Sequence, residues 1–352
     1  MNFKNKFYSV ESVTSGHPDK ICDQISDAIL DECLKQDKNS RVAIETFGCH
    51  DLIVVGGELT TNANIDAEKI ARQVYSNIGY KNVADMKFIT EIINQSADIS
   101  QGVDGGGAGD QGIMYGYATD ETEEFLPVGL VLVHKLSAGL EKLRKSGEVS
   151  WLKPDGKSQV TMDQGKVKTV LISTQHEALV SQEEIRQTLI EKLIKPLGID
   201  IETTEIFVNP TGNFEIGGFI GDTGLTGRKI MVDTYGGLIQ HGGGCFSGKD
   251  ATKVDRSAAY MARYAAKNIV ANKLAKSCVV SLAYAIGHDT PLMVEAINEK
   301  GESIGKLVKE KFDFRPQAII EQLDLQKPIF QQTACYGHFG KNNLPWEAVI
   351  AL

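Results

Sequence analysis

The chain has 352 residues, 42% hydrophobic and 24% charged, with 37 Lys+Arg against 46 Asp+Glu for a net charge of −9. That length suggests two or three domains with cores of their own, and the composition excludes collagen, a long coiled coil and bulk disorder. The acidic balance argues against nucleic-acid or membrane-surface partners, and apolar runs such as 126–133 fall short of the ~20 residues of a membrane helix.

No apolar stretch follows residues 1–6, so no signal peptide is expected and the expected compartment is the cytoplasm. A helix is predicted over 18–36: Ile21, Ile25, Ile29 and Cys33 recur at helical spacing, and Ser15 is the expected cap. Strands at 41–47 and 51–61 read as a hairpin through 48–50. A helix at 66–77 closes on Gly79, and a strand follows at 86–93. A second cycle has a helix at 127–146, a hairpin of 158–163 with 166–174, and a helix at 181–194 with Ser181 and Glu184 as a capping box. A strand at 205–208 ends that cycle. The third has strands at 229–232, 278–286 and 293–297, with helices at 255–271, 302–311 and 316–323. Element order alone therefore predicts three interlocked α+β units. The six cysteines (Cys22, Cys33, Cys49, Cys245, Cys278, Cys335) form no C-x-x-C, and read as reduced thiols.

Glycine marks the segments that carry chemistry. Twelve of the 35 glycines lie between Gly212 and Gly248, and seven between Gly102 and Gly116. Gly16-His17-Pro18-Asp19-Lys20 precedes a helix N-terminus, where free N–H groups favour an anion; His17 and Lys20 add donors and Asp19 suits Mg²⁺. The same five residues also read as a plain helix start. The run from Gly242-Gly243-Gly244-Cys245 to Lys249-Asp250, with Lys253, Asp255 and Arg256 beyond, suits a polyphosphate with divalent metal. It is neither a P-loop nor a dinucleotide fingerprint. Residues 212–273 hold eight Lys/Arg against five Asp/Glu, a local +3 that favours an anionic ligand; a solvated charge pattern is the alternative. Gly105 to Gly112 reads as a linker or a lid, in which Asp110 caps a turn or reaches a ligand. Glu45 and Glu58 lie in predicted strands, on the solvent face or clamping a cation or an ammonium. His50, His134, His176 and His288 read as ordinary.

Together these segments resemble the methionine adenosyltransferase (S-adenosylmethionine synthase) family over essentially the whole chain. The resemblance rests on Glu11-Ser12-Val13 with Gly16-His17-Pro18-Asp19-Lys20, and on Gly102-Val103-Asp104 with Gly107-Ala108-Gly109-Asp110-Gln111-Gly112. It continues in Lys157-Ser158-Gln159-Val160-Thr161, Asn209-Pro210-Thr211-Gly212, Gly221-Asp222 with Gly224-Leu225-Thr226-Gly227-Arg228-Lys229, Gly242 through Asp250, and Tyr336-Gly337-His338-Phe339-Gly340.

The resemblance implies an α+β fold of three similar domains, 1–98, 99–218 and 219–352, around a pseudo-threefold axis. It implies attack of the methionine sulfur on C5′ of ATP, then hydrolysis of the triphosphate. His17, Lys249 and Arg228 would be catalytic, with His17 at the breaking C5′–O bond. Asp155, Lys157, Phe214, Asp222, Arg228, Lys229, Cys245 and Lys249 would bind ATP, with Phe214 on adenine. Glu58, Gln95, Asp110, Asp222 and Lys253 would bind methionine. Asp19 and Asp255 would each hold one of two Mg²⁺ ions per site, and Glu45 would help bind K⁺. It further implies a homodimer with active sites at the subunit interface, often paired into a tetramer. Three departures stand out. The glycine-rich lid is short, Asn213 replaces a usual basic residue, and Cys245 replaces a small one, which suggests sensitivity to oxidation. A regulatory partner without activity would lack the charged residues present here, and a simple phosphohydrolase would not need Glu58 or Gln95.

Overall fold

The computed structural model describes residues 3, 4, 6–94 and 106–352. In chain order its regular elements are β1 (Tyr8–Val13), α1 (Pro18–Gln36), β2 (Arg41–Cys49), β3 (Leu52–Thr60), α2 (Ala67–Ile78), β4 (Lys87–Ile93), β5 (Gly112–Thr119), α3 (Val128–Lys145), β6 (Leu152–Asp163), β7 (Lys166–His176), α4 (Gln182–Leu189) and β8 (Glu205–Val208). The C-terminal part adds β9 (Gly224–Leu225), α5 (Ile230–Asp233), α6 (Val254–Ala271), β10 (Ser277–Tyr284), β11 (Met293–Asn298), α7 (Gly305–Lys311) and α8 (Pro316–Gln322).

Three sheets result, ordered β1-β6-β7-β8, β11-β10-β5 and β4-β3-β2-β9. Each is built on a hairpin from one cycle of the chain and completed at an edge by a strand from another. β1 pairs antiparallel with β6, β5 with β10, and β9 with β2. The three loans form a closed ring, which is why no linker is visible in the sequence: each unit's sheet is incomplete without a neighbour. The three-unit α+β reading holds.

Local chemistry explains most boundaries. α2 is capped by Asp66, whose side chain accepts from Lys69 N, and ends on Gly79 in the left-handed conformation. The expected Ser181 cap accepts from Glu184 N at 3.2 Å. Beyond α4 the helical turn widens over Ile190–Ile194, with Lys195 N bonded to Ile190 O, five residues back.

The strand expected at 229–232 is instead the short helix α5. Three apolar residues suggested a strand, but Thr234 Oγ1 donates back to Ile230 O at 2.8 Å and Asp233 N to Lys229 O at 2.9 Å, closing a helical turn. The borrowed strands β1, β5 and β9 were not expected, because their partners lie far away in sequence.

α1 carries two buried stripes. Ile21, Ile25, Ile29 and Cys33 are fully buried, as the pattern predicts. Asp19, Asp23, Asp27 and Asp31 are buried too, and recur every four residues, so they share one face. Asp19 accepts Leu225 N at 3.0 Å, Asp23 accepts Gly227 N at 2.8 Å, and Asp27 accepts Gly248 N at 2.8 Å. Asp31 accepts both Phe330 N and Gln331 N at 2.9 Å. Asp27 also takes both arms of the buried Arg256, at 2.6 and 2.9 Å, and Phe330 lies under that guanidinium at 4.2 Å.

α6 is buried on nearly every side and lies close to β5. A Cβ at Gly116 would come within 2.0 Å of the Ala262 carbonyl carbon, so only glycine fits there. Among the described residues no helix is long and apolar enough to cross a membrane.

The Asp27–Arg256 pair gives a stability test. Asp27→Asn leaves a buried guanidinium without its counter-charge and is expected to cost about 3–5 kcal/mol. A urea melt should show it as a lowered midpoint; an unmoved midpoint would mean that the pair does not carry the α1–α6 contact.

Candidate active site

The site begins at the N-terminus of α1. Pro18 occupies the first helical position, which holds the preceding residue in an extended conformation. His17, not Ser15, is therefore the cap, and its Nδ1 accepts from Asp19 N at 3.2 Å. Ser15 turns away and donates its Oγ to Glu141 at 2.8 Å. His17 is buried, and its pKa is pushed down to about 2, first by burial and then by Lys229, Lys157, Lys20 and Arg228. The imidazole is thus neutral. With Nδ1 accepting, its proton is on Nε2, which makes Nε2 a donor.

Around it stand Asp19 and three cations. Asp19 accepts Lys229 Nζ at 2.5 Å, and Arg228 Nε lies 3.6 Å away. Arg228 remains half exposed. Lys157, opposite Val13 on β6, is exposed. Lys20, expected as a further donor, is fully buried between Asp23, at 2.9 Å, and Asp233, and is structural.

Asp155 is buried on the same strand as Lys157 and accepts Gly218 N at 2.9 Å. Burial lifts its carboxyl to about 6, against the pull of Gly218 N and Lys157. That bond anchors the turn Gly218–Ile220. Exposed Asp222 follows it, its N–H bonded to Gly218 O at 3.0 Å. Phe214 is partly exposed and doubly held by buried His176. Phe214 N donates to His176 Nε2 at 3.0 Å, and His176 N to Phe214 O at 2.9 Å. His176, read as ordinary from the sequence, holds the aromatic; its isolated position in a strand gave no signal.

A second group gathers on the sheet face of β2 and β3. Cross-strand registers put Lys249, Ala43, Glu58 and Ile93 in one row and Glu45, Gly56 and Glu91 in the next. Cross-strand partners share a face, so Glu58, Glu45 and Lys249 do too. Lys249 Nζ donates to Asp255 at 2.7 Å. Burial would lower the Lys249 pKa, but the Asp255 and Glu45 carboxylates raise it, so the ammonium stays charged. A Cβ at Gly244 would come within 2.1 Å of the Asp255 carboxylate, which explains the glycine there. Burial raises the Cys245 pKa, helped by Glu45 and other carboxylates and opposed by Lys249. The oxidisable thiolate is therefore disfavoured, contrary to the expected redox sensitivity. Lys253 Nζ donates to Asp250 at 2.5 Å. Exposed Asp110 caps Gln111 N at 2.7 Å, and the described segment before it is tied down by Ala108 N to His288 O and Gly287 N to Ala108 O, both at 2.8 Å. Gln95, Gly102 to Asp104 and Gly105 lie outside the described residues.

Among the described residues, no hydrogen bond or ion pair joins the His17 group to the Lys249 group, and none forms a cluster of three metal-ligating side chains. Asp19 and Asp255 each offer a single carboxylate. That donor set suits a Mg²⁺ ion that takes most of its ligands from phosphate and water.

Comparison with known proteins agrees with the chain's motifs. Models of the S-adenosylmethionine synthetase N-terminal, central and C-terminal domains match residues 5–101, 105–214 and 216–348. An S-adenosylmethionine synthase of Treponema denticola is 50% identical over 371 aligned residues, covering 97% of this chain and 95% of that protein. One of Mesoplasma florum is 50% identical over 367 residues, covering 97% of each chain. The chain belongs to the S-adenosylmethionine synthetase family.

The neutral state of His17 can be checked directly. Its imidazole signals in NMR should stay flat between about pH 5 and 8, where an unperturbed histidine titrates; a titration in that window would contradict it. The sign for stability follows. The unfolded chain takes a proton below about 6.5 while folded His17 does not, so this residue removes stability as the pH falls from about 6.5. His17→Asn should flatten that slope.

Proposed function

We propose that the chain converts ATP, L-methionine and water to S-adenosylmethionine, phosphate and diphosphate. The observation that carries this is a neutral, buried His17 ringed by Lys157, Arg228 and Lys229 at a helix N-terminus, with the Lys249–Asp255 pair as a second charged group.

In the first step a lone pair of the methionine sulfur forms the S–C5′ bond. The C5′–O bond breaks, and its electron pair stays on the triphosphate. The thioether has no proton to lose, so no general base is needed. The difficulty is charge on the leaving group, which preorganised cations stabilise. His17 Nε2–H donates to the departing oxygen, and Arg228, Lys229, Lys157 and Lys249 grip the phosphates. Phe214 stacks on adenine, with Asp155, Asp222 and Cys245 lining the ATP site. Glu58 takes the methionine ammonium, with Gln95, Asp110, Asp222 and Lys253 around it. Asp19 and Asp255 would hold two Mg²⁺ ions, which supply neutralisation of the triphosphate, and Glu45 would help hold K⁺.

A homodimer with shared sites accounts for the two separate groups. Its support is the outer face of the β4-β3-β2-β9 sheet, where Ile89, Val54, Phe47 and Leu225 form one apolar row. Ile89 is 51% and Phe47 37% exposed. The His17 group of one protomer would meet the Lys249 group of its partner. The six unpaired thiols suit the cytoplasm.

The test is one reaction with ATP, methionine, Mg²⁺ and K⁺. Equal amounts of S-adenosylmethionine, phosphate and diphosphate should form, and none without methionine. Phosphate released without methionine would leave a phosphohydrolase. Lys249→Ala and Arg228→Ala should each lower kcat by about 10²–10³-fold. Mixed and allowed to exchange subunits, the two should recover about a quarter of wild-type activity, because half the dimers then contain one intact site. No recovery would place each site within one chain.

A further inference from the structure

Tyr80 follows the Gly79 cap of α2 and is absent from every motif above. Its hydroxyl donates to the Gly16 carbonyl at 2.6 Å. Its ring stacks on Tyr75, with centroids 4.7 Å apart and planes 15° from parallel. Tyr75 stacks in turn on Phe219, at 5.6 Å and 7°. Phe219 belongs to the turn Gly218–Ile220 that Asp155 anchors and that leads to Asp222. A Cβ at Gly218 would come within 2.5 Å of the Tyr80 hydroxyl, so the phenol fits only because that residue is glycine. Tyr80 therefore stands between two loops of the site, the one ending in His17 and the one leading to Asp222.

The bond to Gly16 bears on His17 because both belong to one peptide unit. The Gly16 carbonyl takes the phenol, and the N–H of the same peptide, on His17, donates to Thr14 O at 3.1 Å. With both ends bonded, the peptide plane is set. The backbone cannot give way elsewhere, since even a Cβ on Gly16 would lie 2.4 Å from the Pro154 carbonyl. The ring is then fixed by its Nδ1 bond to Asp19 N. Without the phenol, the carbonyl end of that peptide loses its partner.

We propose that Tyr80 is a positioning residue that sets the His17 imidazole against the breaking C5′–oxygen bond, and so serves the adenosyl-transfer step rather than triphosphate hydrolysis. This rests on the reading of His17 given above. A wild-type enzyme that makes no S-adenosylmethionine would remove that reading before Tyr80 is tested.

The variant is Tyr80→Phe, which keeps the ring and its stack and deletes one hydroxyl. S-adenosylmethionine formation under saturating ATP and methionine, and hydrolysis of added inorganic triphosphate with Mg²⁺, are measured on the same preparation. Formation should fall about 10–100-fold in kcat, the scale of a misplaced catalytic group, while triphosphate hydrolysis stays within about twofold. In a His17→Asn background, Tyr80→Phe should lower formation no further. Equal loss of both activities, as from a damaged fold, would overturn the proposal. So would no loss in either, or a full additional loss in the His17→Asn background.

Discussion

The structure depends on a row of buried aspartates. Asp19, Asp23, Asp27 and Asp31 recur every fourth residue on α1, and each accepts a backbone N–H from the part of the chain beyond residue 224. A buried carboxylate is costly unless it is paired or hydrogen-bonded, so these four positions specify what must dock on them. Lys20, Arg256 and Lys229 supply the compensating charge. The effect is to peg the segment around Leu225 to Lys229, the glycine loop at Gly248 and the segment at Phe330 along one rod. Residues 200 to 300 positions apart in sequence thereby become neighbours, and the helix whose start carries His17 is also the ruler on which the loops carrying Arg228, Lys229 and Lys249 are measured.

How much of this the sequence disclosed follows from the range of each interaction. α1, α2, α3 and the hairpins β2–β3 and β6–β7 are governed by local patterns, and their predicted ranges match to within a few residues except at β6, which begins six residues before the predicted 158. The edge strands β1, β5 and β9 are defined by partners in another cycle of the chain, which periodicity does not register. The aspartate row stands in the sequence, but its four-residue spacing does not say what docks on it. Only the remote N–H groups reveal it as buried.

The site shows the same division. The glycine clusters and the local charge inversion singled out the segments proposed to bind anions, whereas individual roles came from the resemblance. Two details resisted both. Ser15 looked like the helix cap because serine is a favoured cap, yet Pro18 fixes the helix start and leaves the position to His17. His176 looked ordinary because its value lies in a contact with Phe214, 38 residues away. Lys20 shows the opposite error: a lysine read as an anion donor is consumed by Asp23 and Asp233.

The lysine–carboxylate pairs carry the chemistry one step further. Asp19 is bonded to Lys229 at 2.5 Å and Asp255 to Lys249 at 2.7 Å. In each pair the cation is one that the proposed reaction places on phosphate, and the carboxylate is one that would hold Mg²⁺. In the proposed reaction each lysine would meet the triphosphate beside a carboxylate that would hold Mg²⁺, which would neutralise phosphate charge. The pairing also limits the cost of holding several cations together, since each lysine has its counter-charge within hydrogen-bond distance. Arg228 is the exception: half exposed and 3.6 Å from Asp19, it is the least committed of the cations. In the proposed reaction its planar fork would meet the triphosphate from solvent, whereas the lysines would do so from within their carboxylate pairs.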